Sequence, residues 1–146
     1  TSEAGRLVHK HAELNGIYCI KDFDKLELGP MVQEQKIELE FEHFIVVGVP
    51  DAINEENVVD LKTGGTNGNE QQVQQYMWMK GCRYGYIIGV NSVICNGIVL
   101  DVSLRQTKKY YRSKYMDWEN RYDTMAQEIM YMIQRRRLYN FLHGTI

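Results

Sequence analysis

One short stretch constrains the fold more than any other, because it places charged side chains inside strongly apolar, β-branched sequence. Residues 48–53 read Gly-Val-Pro-Asp-Ala-Ile, and residues 58–63 read Val-Val-Asp-Leu-Lys-Thr. The intervening Asn-Glu-Glu-Asn, residues 54–57, is rich in turn formers. The second segment is therefore predicted to return as a strand beside the first. Such a hairpin would bring Asp51 next to Asp60.

The returning strand carries its charges on one face. Side chains alternate along a strand, so Asp60 and Lys62 point to one side and Leu61 to the other. Two neighbouring carboxylates repel each other, and burying charge without a partner is costly. A divalent cation relieves both problems, and Mg²⁺ prefers oxygen ligands while keeping several waters. For the triplet alone, an ordinary Asp–Lys ion pair at a strand end is the competing interpretation.

The rest of the chain shows clear periodicities. Phe44–Val49 is a continuous apolar run, which predicts a strand buried on both faces. Two further segments, Tyr84–Val90 and Gly97–Leu104, are predicted to pair through Asn96-Gly97, a strong hairpin signal. The other predicted elements are a helix over residues 1–15 with Ser2 as N-cap and Gly16 at its end, a half-buried strand over 36–42 with His43 in the following turn, a helix over 69–80, and a long amphipathic helix over 113–143.

Two polar patterns lie on the predicted helices. Gly5 and His9 are four residues apart and share a helical face, as do Gln72 and Tyr76. From the residues alone, His9 is a surface or half-buried histidine. Gln72 would complete a capping box with Asn69, and Tyr76 would belong to the core.

Taken together these motifs resemble a known family. Pro50-Asp51, with Asp60-Leu61-Lys62 closing an apolar strand nine residues further on, is similar to the signature of the PD-(D/E)XK nuclease superfamily. The Gly5/His9 and Gln72/Tyr76 pairs resemble motifs of its RecB-like exonuclease branch. The resemblance covers essentially the whole chain. It implies an α/β fold with a central mixed β-sheet flanked by helices, a restriction-endonuclease-like core, as a single nuclease domain over residues 1–146.

The resemblance also implies a chemistry. It is that of a divalent-metal-dependent DNA nuclease, an exonuclease in the first instance, in which Mg²⁺ or Mn²⁺ activates a water for attack on the phosphodiester. Lys62 would position that water or offset charge, and Gln72 and Tyr76 would contact substrate or steady the site. The implied ligands of one or two ions are His9, Asp51, Asp60 and the carbonyl of Leu61. Glu34 is a weaker candidate beside them.

Two alternatives remain open at this point. A cap-snatching RNA endonuclease uses a similar His, Pro-Asp and Asp-x-Lys set, although the helix with Gln72 and Tyr76 argues against it. The other alternative is a non-catalytic nucleic-acid-binding module on a degenerate nuclease fold. The presence of Lys62 and both aspartates argues against such decay.

Charge and composition bound the partners. The net charge is −2, so binding of DNA, as single strands or duplex ends, has to depend on local basic patches. Basic residues interleaved with tyrosines suit a nucleic-acid track, and a solvated linker is the alternative. These residues are Arg105, Lys108, Lys109, Tyr110, Tyr111, Arg112, Lys114 and Tyr115. The loop over 63–68 is either a flexible gate for a strand of nucleic acid or a plain linker.

The remaining features bear on compartment and assembly. Cys19, Cys82 and Cys95 are odd in number and widely spaced, which predicts reduced thiols in an intracellular compartment and no iron–sulfur cluster. The longest apolar run is far short of the roughly 20 residues that span a bilayer, so no membrane association is expected. The apolar stripe of the last helix predicts either core or a surface for a protein partner or self-association. It comprises Trp118, Tyr122, Met125, Ile129 and Ile133.

Overall fold

The computed structural model describes residues 2–42, 44–113 and 117–144. The chain divides into two compact units, one of Thr1–Leu39 and Val47–Ser113 and one of Glu40–Val46 and Lys114–Ile146. The single nuclease domain over residues 1–146 stays a prediction. The turn predicted at His43 and two members of the predicted basic track, Lys114 and Tyr115, lie outside the described residues.

Strands and helices follow one another through the chain up to Tyr111. The strands are β1 (Val32–Gln33), β2 (Ile37–Glu40), β3 (Ile45–Gly48), β4 (Ala52–Ile53), β5 (Asn57–Lys62), β6 (Tyr84–Cys95) and β7 (Ile98–Tyr111). Helix α1 spans Glu3–Asn15 and helix α2 spans Glu70–Lys80; two short 3₁₀ turns, Ile17–Cys19 and Phe23–Leu26, follow α1. The Ser2 hydroxyl accepts a hydrogen bond from Gly5 N at 3.0 Å, so the predicted N-cap of α1 is confirmed.

A five-stranded sheet forms the centre of the first unit, in the order β1-β4-β5-β6-β7. Strands β5 and β6 are parallel, and the other neighbours are antiparallel. Helix α2 makes the crossover that two parallel neighbours require. The mixed sheet is the one that the sequence predicts.

Each face of the central sheet buries a separate apolar cluster. On one face Val8 and Ala12 of α1 pack with the side chains of Val59 and Leu61. On the other face Val73 and Met77 of α2 pack in a cluster that includes Val58 and Ile87. Alternation along β5 therefore sends Leu61 to the α1 side. Helices flank both faces, as predicted.

The apolar run before Asp51 behaves differently from its prediction. The sequence predicts that Phe44–Val49 is a strand buried on both faces, but β3 pairs with β2 in a separate two-stranded sheet. Ile45 and Val47 are half exposed, at 52% and 50%. A short apolar run has no period that separates a central strand from a hairpin strand. The place beside β5 in the central sheet is taken by the two-residue strand β4, which forms the predicted hairpin with β5, and β1 lies beyond it. The sequence pattern does not reveal β1.

The last hairpin is longer than predicted. Asn96 and Gly97 have φ values of 51° and 76°, so the turn is the primed type that Asn-Gly favours. Strand β7 does not end at Leu104 but continues to Tyr111. The basic and aromatic residues from Arg105 to Tyr111 therefore lie on a strand and not on a linker.

The second unit is dominated by helix α3, Trp118–Leu142. It begins five residues later than predicted, where the Asp117 side chain accepts a hydrogen bond from Asn120 N at 3.0 Å. Tyr122 is buried and lies near the rings of Phe41 and Phe44, at 5.5 and 6.4 Å. Among the described residues, no helix is both long enough and apolar enough to cross a membrane.

Close packing of α2 on the sheet depends on Gly85. A Cβ atom at this position of β6 would lie 2.3 Å from Val73 Cγ1 and 2.8 Å from Met77 Cε. We expect Gly85→Ala to lower the free energy of unfolding by about 1–3 kcal/mol, the usual cost of overpacking a core. Urea unfolding measures this change. Gly64→Ala is the matched control, because a Cβ there meets nothing within 4 Å, and an equal loss in both variants would contradict the prediction.

Candidate active site

The site is built around the backbone of Leu61, the next-to-last residue of β5. In the β4–β5 register Ala52 faces Val59, so Pro50 would face Leu61 two residues further along. Proline has no N–H to donate, and the ladder ends there. The backbone N–H and C=O of Leu61 therefore contact side chains instead of a neighbouring strand. Asp51 Oδ2 accepts a hydrogen bond from Leu61 N at 2.7 Å, and His9 Nε2 lies 2.9 Å from Leu61 O. Asp51 thus contacts the end of β5 at Leu61, the residue that follows Asp60.

His9 reaches this point from α1. Its Nδ1 lies 2.9 Å from the Gly5 carbonyl, to which it donates. Its Nε2 faces two oxygens, Leu61 O at 2.9 Å and Asp51 Oδ2 at 3.7 Å. A nitrogen lone pair cannot point at two acceptors, so a proton or another cation belongs there. The nearby Asp51 carboxylate is the main cause that raises the pKa of His9 from 6.5 to about 9.

Asp60 and Lys62 form a pair on the opposite face of β5. The Lys62 ammonium lies 3.4 Å from Asp60 Oδ2. Burial raises the pKa of Asp60, and repulsion from Asp51 raises it further, whereas the Lys62 ammonium acts in the other direction. The negative charge of Asp51 therefore acts on the carboxyl of Asp60.

Asn69 contacts the Asp60–Lys62 pair, and the sequence does not reveal this contact. The sequence predicts that it caps α2 and shares a capping box with Gln72, but its side chain makes no capping hydrogen bond. Its amide lies between Asp60 Oδ2, at 3.4 Å, and the Lys62 ammonium. When the amide oxygen faces Lys62, it accepts a hydrogen bond from that ammonium, and the amide nitrogen donates to Gly68 O at 3.3 Å. This orientation gives both atoms of the amide a suitable hydrogen-bond partner, so we assign it to Asn69.

The Gln72/Tyr76 pair lies on α2 and contacts the backbone that precedes Asp51. Gln72 is exposed, and its Nε2 donates to Tyr76 Oη at 3.1 Å. The Tyr76 ring covers Gly48, where a Cβ would lie 2.3 Å from the ring, and its hydroxyl lies near the Val49 backbone. Burial raises the pKa of Tyr76, with smaller contributions from Asp60 and Asp51. The pair thus braces the backbone that leads into Pro50-Asp51.

An open depression of about 730 Å³ lies in front of His9 and Asp51. Glu34 lies at its wall: its N–H donates to the Asp51 carbonyl at 3.3 Å, and its φ is 52°. Burial raises the pKa of Glu34, and the charge of Asp51 adds to the effect. Both signs of charge line the depression, through Arg6, His9, Lys10, Glu13, Glu34, Asp51 and Lys62.

The predicted basic track is divided between two faces of β7. Alternation sends Lys108 and Lys109 to opposite sides. Lys109 lies 4.4 Å from the centroid of the Tyr84 ring. The other face ties down the loop over 63–68, which is therefore not a free linker. The contacts are Arg105 to Gly64 O at 2.5 Å, Thr66 to Gln106 at 2.9 Å and Lys108 to Asn67 at 2.5 Å.

The donor set fits a hard divalent cation in kind. Within residues 2–42, 44–113 and 117–144, no three His, Cys, Asp or Glu side chains are grouped so as to hold a metal ion. The backbone adds the oxygen of Leu61 to His9 Nε2 and Asp51 Oδ2. Adjacent ligands of an octahedral ion bound at about 2.1 Å lie about 3 Å apart. The 2.9 Å between His9 Nε2 and Leu61 O matches this spacing, and the 3.7 Å between His9 Nε2 and Asp51 Oδ2 exceeds it. A ligating imidazole also usually donates its other N–H to a carbonyl, as His9 does to Gly5.

The raised pKa of Asp60 has a consequence for stability. A carboxyl whose pKa is raised on folding destabilises the fold once pH exceeds the unfolded value, here 3.8. We expect Asp60→Asn to raise Tm at neutral pH in the presence of chelator. The expected increase is about 3–5 °C, which about 1 kcal/mol produces in a chain of this size. Differential scanning calorimetry measures it. A lower Tm would mean that the ion pair with Lys62 outweighs burial.

Comparison with known proteins places the fold. No family model and no curated protein matches the chain. The crystal structure of SSO0001 is similar over 87% of this chain, with 17% identity and a TM-score of 0.50. The crystal structure of an alkaline exonuclease (LHK-Exo) from Laribacter hongkongensis is similar over 92%, with 14% identity and a TM-score of 0.54. The chain spans 58% of the first protein and 73% of the second.

Such low identities show the fold alone. They confirm the predicted class, an α/β fold with a central mixed sheet flanked by helices, consistent with a restriction-endonuclease-like nuclease fold.

Proposed function

We propose that this chain is a divalent-metal-dependent nuclease that hydrolyses phosphodiester bonds in DNA, acting as an exonuclease of the RecB-like type. One observation carries the proposal. His9 Nε2, Asp51 Oδ2 and the Leu61 carbonyl meet at the carboxyl end of the central strand β5, where Asp60 and Lys62, the neighbours of Leu61 on that strand, form an ion pair. A solved neighbour described as an alkaline exonuclease supports it.

Each residue then has a defined task. His9, Asp51, Asp60 and the Leu61 carbonyl would hold Mg²⁺ or Mn²⁺, whose contribution when bound is Lewis-acid activation of water and of the phosphate. Lys62 would hold the attacking water or offset negative charge on the phosphate. Asn69 keeps the Lys62 ammonium in place. Tyr76 and Gln72 keep the Asp51 segment in register.

The direct test is cleavage of end-labelled oligonucleotides. Single-stranded DNA, blunt duplex DNA and RNA of the same sequence would be incubated with Mg²⁺, Mn²⁺ or chelator. We expect the protein to release mononucleotides from DNA when Mg²⁺ or Mn²⁺ is present and to release none when chelator is present. Preferential cleavage of RNA would favour the cap-snatching alternative. Binding of DNA without any cleavage would favour the non-catalytic module.

Binding of metal should be opposed by protons at His9. Its pKa of about 9 means that the imidazole is protonated at pH 7, and only the neutral ring binds a metal. We expect affinity for Mn²⁺ to rise with pH up to about 9 and binding at pH 7 to release a proton. Calorimetry in buffers of different ionisation enthalpy measures both.

His9→Ala should remove this proton release and weaken Mn²⁺ binding at least about tenfold, on the scale of losses around a metal site. His11→Ala is the matched control, because His11 lies on the same helix and contacts Asn15. Equal affinity in all three proteins would contradict a role for His9.

A further inference from the structure

Helix α3 leaves most of its apolar residues uncovered. Trp118 and Tyr122, at its amino-terminal end, are buried. Beyond them Met125, Ile129 and Met132 are 50%, 50% and 67% exposed. Large exposed apolar patches on a folded chain mark interaction surfaces. The inference drawn from this helix is independent of the proposed nuclease function.

Five of the exposed residues of α3 have the spacing of a helix-pairing seam. Met125, Ile129, Met132, Arg136 and Tyr139 follow one another at intervals of four, three, four and three residues. This alternation places them in one stripe, and a stripe of this period is typical of helices that pair with a second helix. Tyr139 is 60% exposed. Arg136 interrupts the stripe with a charge, and its aliphatic stem can still cover apolar surface.

Charge along the helix specifies the partner. Residues 117–128 contain four acidic residues and one arginine, whereas residues 129–144 contain Arg135, Arg136 and Arg137 and no acid. A second copy running antiparallel would set the acidic half of each helix against the basic half of the other. A parallel copy would set like against like, and Arg136 would face its own equivalent.

We infer that two copies of this chain pair antiparallel through the stripe of α3. At the centre of the pair, Ile129 of each copy would pack against Met132 of the other. In that register Glu128 and Arg135, which flank the stripe on the same side, meet across the pair at both ends of the contact. Within one helix these two residues are seven positions apart and do not touch.

Sedimentation equilibrium over a wide concentration range tests the pairing. The full chain should be a dimer, and Ile129→Asp with Met132→Asp should be a monomer of unchanged helicity by circular dichroism. A wild-type chain that remains monomeric, or a dimer that persists in the double variant, would overturn the inference.

A charge exchange tests the direction of the helices. Glu128→Arg alone and Arg135→Glu alone should each weaken the dimer at least about tenfold, because like charges then face each other twice. The combined variant should regain the wild-type dissociation constant. Single variants that dimerise as well as wild type, or a combined variant that stays weak, would overturn the antiparallel arrangement. Arg137→Glu, off the flanking position, is the control and should have a smaller effect than Arg135→Glu.

Discussion

Asp51→Asn and Asp60→Asn should each reduce metal-dependent cleavage of DNA at least about a thousandfold. The reason is that a metal ion contributes several kcal/mol to the transition state, and each 1.36 kcal/mol corresponds to a factor of about ten in rate. Asparagine keeps the shape of the side chain, and in the Asp51→Asn variant the new amide oxygen could still accept from Leu61 N. Initial rates on end-labelled DNA with Mg²⁺ or Mn²⁺ measure the loss.

The control for these variants is Asp101→Asn, an exposed carboxylate on β7. It should cleave like the wild type. Far-ultraviolet circular dichroism of all three variants confirms that the fold is retained. Undiminished cleavage by a folded Asp51→Asn or Asp60→Asn protein would refute the proposed site, because that aspartate would then not be needed for the reaction.

Lys62→Ala should lower the cleavage rate at least about a hundredfold, the lower end of what a positioned proton-transfer group contributes. Mn²⁺ affinity should change little, because the ammonium is not a ligand. The loss should fall on kcat rather than on KM, since Lys62 is assigned to charge that develops during the reaction. Single-turnover kinetics at saturating DNA, together with calorimetric titration of Mn²⁺, separate the two quantities.

A matched control exists on the surface. Lys25 forms an exposed pair with Asp22 at 3.1 Å, much as Lys62 pairs with Asp60. Lys25→Ala should leave both rate and metal binding unchanged. If Lys62→Ala behaved in the same way, the Asp60–Lys62 contact would be an ordinary strand-end ion pair, the competing interpretation that the triplet allows by itself.

Local patterns predict much of this fold because the decisive residues act over short range. Asn54 shows this: its Oδ1 accepts from Asn57 N at 2.8 Å and closes the turn between β4 and β5. Once that turn is fixed, the pairing of Ala52 with Val59 brings Asp51 to the end of β5. The alternation of Asp60, Leu61 and Lys62 follows from strand geometry alone.

The sequence misleads where long-range pairing decides the outcome. Nothing in Phe44–Val49 shows whether β3 joins the central sheet or a separate hairpin, since both need apolar residues. The length of β7 beyond Leu104 depends on its partner β6, because the first residue of β6, Tyr84, pairs with the last residue of β7, Tyr111. Its charged and aromatic residues look like linker sequence until that partner is known.

Contacts within the candidate site can be predicted when the residues lie close together on one element. A contact between residues of two elements, such as β5 and the start of α2, is harder to predict. Asn69 looks like a helix cap, and only the position of α2 beside β5 shows that its amide contacts Lys62. Gln72 and Tyr76 are predicted to contact substrate or steady the site. Their contacts with each other and with the Gly48–Val49 backbone favour the second role.

The side chain and the backbone of Leu61 lie in different environments. Its side chain is 1% exposed among apolar neighbours, while its N–H and C=O face Asp51 and His9. Evolution can therefore exchange this side chain for another aliphatic one of similar volume without altering the groups that meet the reactants. A polar or oversized residue would shift the strand, and with it the only carbonyl in the proposed ligand set. The middle letter of the Asp-x-Lys triplet is thus free in its identity among aliphatic residues but restricted in its size.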